Sequence, residues 1–217
     1  MADYILKEIK ALSPENTVQQ AQKICASLPI SHVLVVKNKV LLGCFSESDV
    51  FTTEDKESLI TTHSHLFSHF YSNVETSVLE LLNAFAENDC TIIPVLNSKQ
   101  EYIGYYELSD VLDLFNNSPF VHRNDETLLI EKNNKDYSMS EIAQIVESNG
   151  GQLLGCYIVS ETSETVQVFL KIVSNEMNEI IQTFRRYNYT VNSKHQDDLY
   201  LEDLKNRAAY LNKYLDI

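Results

Sequence analysis

Gly43-Cys44-Phe45-Ser46-Glu47-Ser48-Asp49-Val50 returns as Gly104-Tyr105-Tyr106-Glu107-Leu108-Ser109-Asp110-Val111, a shift of 104 − 43 = 61 residues. An apolar run precedes each copy, Val33-Leu34-Val35-Val36 in the first and Ile92-Ile93-Pro94-Val95-Leu96 in the second. Further upstream, Thr17-Val18 and Ser77-Val78 correspond at a shift of 60. The additional residue of the second copy falls in its turn, Asn97-Ser98-Lys99-Gln100-Glu101, against Lys37-Asn38-Lys39. A tandem supersecondary unit whose length changes only in a turn is the mark of a structural repeat. The copies span about 12–53 and 72–116.

Each copy predicts helix, strand, turn, strand, helix. Ser13-Pro14-Glu15-Asn16-Thr17 is a helix-start signal, and Val18, Ala21, Ile24, Cys25 and Leu28 then give one apolar face. Pro29 ends that helix. Strands follow over 31–36 and 40–45, with Asn38 in the turn. Ser46 is a cap for a short helix. In the second copy Val78, Leu81, Leu82, Phe85 and Ala86 face inward on the first helix. Leu108, Val111, Leu112 and Phe115 do so on the last. Asn116-Asn117-Ser118-Pro119 is a break.

The remainder has a different rhythm. It predicts a strand over 127–131 and a helix over 140–148, with Ser138-Met139-Ser140-Glu141 as a capping box and Ile142, Ile145 and Val146 inward. Gly150-Gly151 closes that helix. Strands over 152–159 and 165–173, a helix over 177–187 and a strand over 189–192 complete the split βαβ order. Leu201, Leu204, Ala208, Leu211 and Leu215 predict an amphipathic tail helix. The expected domains are therefore 1–120, 121–195 and a helix over 196–217.

Composition narrows the function. The chain has 217 residues, 44% of them hydrophobic, with a net charge of −14 and four arginines. Nucleic-acid backbones and anionic membrane surfaces call for the opposite sign. Neither a signal peptide nor a membrane span is expected, so the reading is cytoplasmic. Cys25, Cys44, Cys90 and Cys156 form no CxxC spacing and read as free thiols of a reducing compartment. Five glycines build no P-loop or dinucleotide fingerprint, and no catalytic triad is evident. His65 and His69 would share a helix face, with His63 nearby, but no closed metal set results. The expectation is no enzyme, no catalytic residue and no metal.

The doubled motif, which reads Gly-x-x-Ser-x-x-Asp in the first copy at Gly43, Ser46 and Asp49, resembles the CBS domain, and two copies in tandem resemble a CBS pair, or Bateman module. The segment over about 126–194 looks like an ACT-type domain in its order of elements. The combination is similar to acetoin-utilisation B-type proteins. The fold class implied is α+β: tandem CBS repeats, then a ferredoxin-like βαββαβ ACT-type domain and a C-terminal helix. The resemblance implies an adenosyl ligand (AMP, ADP, ATP or S-adenosylmethionine) in the cleft, a regulated partner protein and a homodimer. It places a ribose on Asp49, a phosphate on Ser46, and the base between Ser31, His32 and Val33. Asp110 is the counterpart of Asp49. The competing expectation is a dimerisation or interaction scaffold without a nucleotide. ACT-type domains often take an amino acid near the turn after the first strand, in this chain Asn133-Asn134-Lys135-Asp136-Tyr137; it lacks the usual Pro-Gly, so pairing of domains is the equal alternative.

The second copy departs from the pattern. Glu107 stands where Ser or Thr is expected. Two like charges about 4 Å apart repel by roughly 4 kcal/mol at an effective dielectric near 20. The cleft at Ser46 and Asp49 is therefore expected to be the better nucleotide site. The cleft at Glu107 and Asp110 is expected to be empty, or to take an uncharged adenosyl group or a metal-bound phosphate.

Overall fold

The computed structural model describes residues 1–123 and 125–193. The chain is mixed α and β and divides into a unit Met1–Asn117 and a second unit from Ser118 onward. The tail helix predicted over 196–217 lies outside the described residues.

In the first unit, helix α1 (Val18–Ser27) leads to strands β1 (His32–Lys37) and β2 (Val40–Ser46) and the short helix α2 (Glu47–Thr52). A 3-10 segment (Ile60–Leu66) and a two-residue strand β3 (Ser72–Asn73) follow. The second copy is α3 (Val78–Glu87), β4 (Ile92–Leu96), β5 (Tyr102–Glu107) and α4 (Leu108–Asn116). Thr17 and Ser77 each close a reciprocal capping box, with Gln20 and Glu80. Each cap satisfies two orphan helix N–H groups, and losing such a residue costs about 1 kcal/mol.

The hairpins explain the repeated glycine. Val35 pairs with Gly43 and Val36 with Leu41, so Leu42 is a bulge. Val95 pairs with Gly104 and Leu96 with Tyr102, so Ile103 is the same bulge. Gly43 and Gly104 hold φ of 155° and 152°, which side chains rarely adopt.

A second strand explains why nothing larger fits. Leu6 exchanges two backbone hydrogen bonds with Tyr105, and Ser68 exchanges two with Cys44. The chain ahead of each copy thus pairs with the last strand of the other copy. It then crosses to its own first strand, Leu12 beside Val35 and Ser72 beside Val95, both parallel. The repeat therefore reaches back about six residues further than its motif, and the copies are interlocked.

Both copies feed one core that includes Ala21, Val33, Phe45, Ile60, Leu81, Phe85, Ile93, Tyr105 and Tyr106. Three residues expected to face inward are exposed. Leu28 is 36% exposed because α1 ends at Ser27, so Leu28 leaves the helical phase and Ile30 is buried instead. Leu112 is 47% exposed on α4, whose buried line runs through Val111. The first copy has Phe51 at the matching position, also exposed. Ala86 is likewise exposed, on the outer side of α3.

Tyr106 occupies the place of Phe45, fully buried, and its hydroxyl has no partner. An unsatisfied buried hydroxyl costs about 1–3 kcal/mol. Tyr106→Phe is therefore expected to raise the urea midpoint, by about 1 kcal/mol of stability. An unchanged or lower midpoint would show that the hydroxyl is satisfied in solution.

In the second unit, a short helix α5 (Pro119–His122) precedes β6 (Glu126–Asn133), α6 (Met139–Ser148), β7 (Gln152–Glu161), β8 (Thr165–Val173), α7 (Met177–Arg186) and β9 (Thr190–Ser193). The sheet order is β7-β8-β6-β9, with every neighbouring pair antiparallel. This is the β-α-β-β-α-β order read from the sequence. Leu128 and Ile130 on β6, and Val166, Val168, Leu170 and Ile172 on β8, are buried at period two. Ile142, Ile145 and Val146 of α6, with Met177, Ile180, Ile181 and Phe184 of α7, join that core.

The capping box at Ser138 is half formed. Ser138 Oγ accepts the Glu141 N–H at 3.5 Å, but the Glu141 carboxylate does not return to it. It is held instead by the Lys132 ammonium and the Tyr189 hydroxyl. A charge-assisted bond beside buried groups is stronger than a second cap bond at an exposed helix start.

Candidate functional site

The motif segment of the first copy is a small hydrogen-bonded cluster. Ser46 is the N-cap of α2, and its Oγ accepts the Asp49 N–H at 3.1 Å. The same hydroxyl donates to the Asp49 carboxylate at 2.5 Å and lies 3.0 Å from Ser48 Oγ. Both residues are partly exposed. The cluster thus offers a carboxylate acceptor and a rotatable hydroxyl at the end of β2.

His32 faces Ser46 across the β1–β2 ladder. It is 6% exposed, edge-on to Phe70 at 5.2 Å, and its Nδ1 lies 2.9 Å from Ser31 Oγ. Burial holds the imidazole below its usual pKa, partly offset by the negative charges of Asp49 and Asp89. Val33 is 2% exposed and belongs to the core rather than to an open surface. The structure thus brings Ser46, Asp49, His32 and Ser31 together, with Val33 packed into the core.

The depressed His32 pKa has a consequence for stability. The folded state resists the proton that the unfolded chain accepts near pH 6.5. Stability from this group is complete above pH 6.5 and is lost as pH falls from there through the lower folded pKa. The urea midpoint is expected to drop between pH 7 and pH 5.5, with a shallower drop in His32→Gln. Equal slopes would show that His32 is not the source.

Ser31 does more than the sequence suggested. Its N–H donates to Thr91 Oγ1 at 2.9 Å, and the Thr91 N–H donates to Ser31 Oγ at 2.8 Å. The Ser31 carbonyl accepts the Glu47 N–H, and the Thr91 carbonyl accepts the Leu108 N–H. Each residue therefore ties its own motif helix to the strand start of the other copy. Thr91 was missed by the sequence reading, although it stands 60 residues after Ser31, the repeat's own shift. Phe67 and Phe70 were missed as well. Phe67 lies over Gly43 and tilts against Phe45 at 5.5 Å.

The second copy has the same backbone and different chemistry. Glu107 is the N-cap of α4 with no side-chain cap bond, and its carboxylate accepts the Ser109 hydroxyl at 2.8 Å. Asp110 is partly exposed. Its carboxyl is pushed up by burial first and then by the negative charges of Glu107, Asp113 and Glu8. This end of the unit gathers acids and disfavours an anion.

His63 and His65 stay close, with ring centroids 6.5 Å apart, but His69 lies beyond their segment. His63 Nε2 lies 2.8 Å from Ser58 Oγ, and its ring stacks on Phe45 at 6.4 Å. The 3-10 segment ends at Leu66, so His65 and His69 do not share a helix face. Among the described residues, no three His, Cys, Asp or Glu side chains are placed to hold a metal. Cys25, Cys44 and Cys90 are buried free thiols. Burial raises Cys44 and Cys90 to about 12 and Cys25 to about 11. Neutral thiols of this kind are poor nucleophiles. No helix among the described residues is long and apolar enough to cross a membrane.

Residues 70–117 match the CBS domain. The solved structures similar to the chain include CBS-domain pairs. A CBS domain pair/ACT domain protein from Thermotoga maritima is 16% identical, over 52% of this chain and 93% of that one, with a TM-score of 0.47. CBS domains of a transcriptional regulator from Streptococcus pneumoniae are 18% identical, over 52% and 95%, with a TM-score of 0.45. CBSX2, solved in complex with AMP, is 13% identical, over 52% and 93%, with a TM-score of 0.45. No curated protein matches the chain.

Proposed function

We propose that the protein is a non-enzymatic regulator that senses an adenosyl ligand in the first-copy cleft of its CBS pair. The observation that carries this reading is the inequality of the two motif segments on one backbone. Asp49 has a neutral hydroxyl beside it, whereas Asp110 has a second carboxylate, Glu107.

In the proposed complex the ribose hydroxyls donate to the Asp49 carboxylate. The Ser46 hydroxyl turns from Asp49 to a phosphate oxygen, so each group released by one partner gains another. Charge-assisted bonds of this kind are stronger than neutral ones. Ser31 and His32 line the base side, with Val33 supporting them from the core. Because Ser31 and Thr91 bond reciprocally, a ligand that orders this point orders both copies. Sensing then amounts to a population shift between looser and tighter pairs.

The second unit is read as ACT-like, with the turn after β6 as its amino-acid position, and the whole chain as similar to acetoin-utilisation B-type proteins. A homodimer completes the proposal. Leu79, 69% exposed on α3, and Leu112 on α4 leave apolar surface on the outside of the helix pair. The regulated partner is a protein in the cytoplasm. The rival reading is a scaffold whose cleft takes no nucleotide.

Thermal melts with AMP, ADP, ATP with magnesium, and S-adenosylmethionine separate the two. A ligand at a hundred times its Kd stabilises by about 2.7 kcal/mol. For a chain of this size that is a rise on the order of 5–11 °C. A flat response to every ligand leaves the scaffold.

A further inference from the structure

The first unit carries an open groove of about 580 Å³ lined by Lys7, Ile9, Lys10, Ala11, Lys39, Glu101, Tyr102, Ile103 and Gly104. Neither Asp49 nor Asp110 lines it. It lies where the chain ahead of the first copy passes the hairpin turns, at the far end of the strands from the motif helices. We propose that this groove is a separate site for a small organic phosphate.

Charge is the first ground. The protein has 31 acidic residues against 17 Lys and Arg, yet three lysines line one groove. None of the three forms a salt bridge among the described residues, whereas Lys37, two residues before Lys39, is paired with Glu15 at 2.9 Å. One carboxylate, Glu101, lines the groove beside the three lysines, which leaves a positive excess there. Glu101 accepts from Asn97 Nδ2 at 3.0 Å, and Glu8 accepts the Lys7 backbone N–H at 3.0 Å. An anion in a groove lined by three lysines is attracted by each of them. Lysine meets phosphate as a compact point charge, without needing a planar fork.

The groove's shape and floor are the second ground. Its volume falls in the range of small-molecule sites. Ile9, Ala11 and Ile103 are partly exposed and provide an apolar floor. Ammonium groups over such a floor fit a ligand with a phosphate and an organic body.

The third ground is Lys39 itself. It holds φ of 67° in the two-residue turn after β1, where glycine is the usual residue. Its carbonyl accepts the Tyr102 N–H at 2.7 Å, which fixes the two hairpins to one another. A lysine standing where glycine would sit without strain points to a use for its side chain.

The test is an amide NMR titration of the full chain with phenyl phosphate, with inorganic phosphate as the comparison. Amide signals of Lys10, Lys39 and Gly104 are expected to shift saturably. Phenyl phosphate should bind at least threefold more tightly than inorganic phosphate. Combined Lys7→Gln, Lys10→Gln and Lys39→Gln should weaken it at least tenfold. The same changes at Lys23, Lys56 and Lys99, outside the groove, should leave it unchanged. Lys39→Gly alone should weaken binding while keeping or raising the Tm, which separates a ligand role from a structural one. Shifts that never saturate, equal binding of both probes, or equal loss in the two triple variants would overturn the proposal.

Discussion

Gly104→Ala is expected to lower the stability of the first unit by about 3 kcal/mol, read as a drop in the urea midpoint. Gly104 sits at φ 152° on a bulge, which strains any side chain by about 1–3 kcal/mol. A Cβ there would press on the Leu6 carbonyl oxygen and come within 2.5 Å of Ile5 Cγ2. The Leu6 carbonyl cannot retreat freely, because it accepts the Tyr105 N–H at 3.0 Å. Losing that bond adds about 1 kcal/mol. Gly43→Ala should also destabilise, since its Cβ would lie 2.7 Å from Phe67 Cβ. Its cost should be similar, because Phe67 Cβ moves only with its backbone, which the neighbouring Ser68 ties to Cys44 by two hydrogen bonds. A neutral Gly104→Ala would mean that the segment ahead of the first copy does not pair with β5.

The repeat was legible because identical residue types recur with apolar runs at one shift. Its glycines were legible as conserved between copies, but their reason was not. That reason lies in Leu6 and Ser68, single bridge residues with no motif of their own, paired to strands far along the chain. The β-α-β-β-α-β order of the second unit was legible from periodicity, glycines and caps. Glu141 was misjudged because its partners, Lys132 and Tyr189, come from other elements. A local pattern cannot weigh a bond to a residue 48 positions away. Leu28 and Leu112 show the same limit for helix faces, where one residue of phase decides burial. At the candidate site, Ser46, Asp49 and the departure at Glu107 were legible. Thr91 was within reach at the repeat's shift. Phe67 and Phe70 were not, because they come from the segment between the copies, which carries no repeat signal. The lysine groove brings together residues from three separate stretches and has no linear signature.

The proposed sensing role makes its largest demand on Asp49. If ribose hydroxyls bind its carboxylate, Asp49→Ala should remove most of the stabilisation of about 2.7 kcal/mol given by saturating ligand. The protein without ligand should change little, since Asp49 is partly exposed and its backbone N–H still caps on Ser46. Asp110 stands in the same backbone setting among Glu107, Asp113 and Glu8, and should contribute little to an anionic ligand. The most direct measurement is the ligand-induced rise in Tm of Asp49→Ala and Asp110→Ala beside the parent protein, using whichever adenosyl ligand stabilises it. The account predicts that most of the rise is lost in Asp49→Ala and that it persists in Asp110→Ala. Equal losses in the two variants, or loss only in Asp110→Ala, would contradict it.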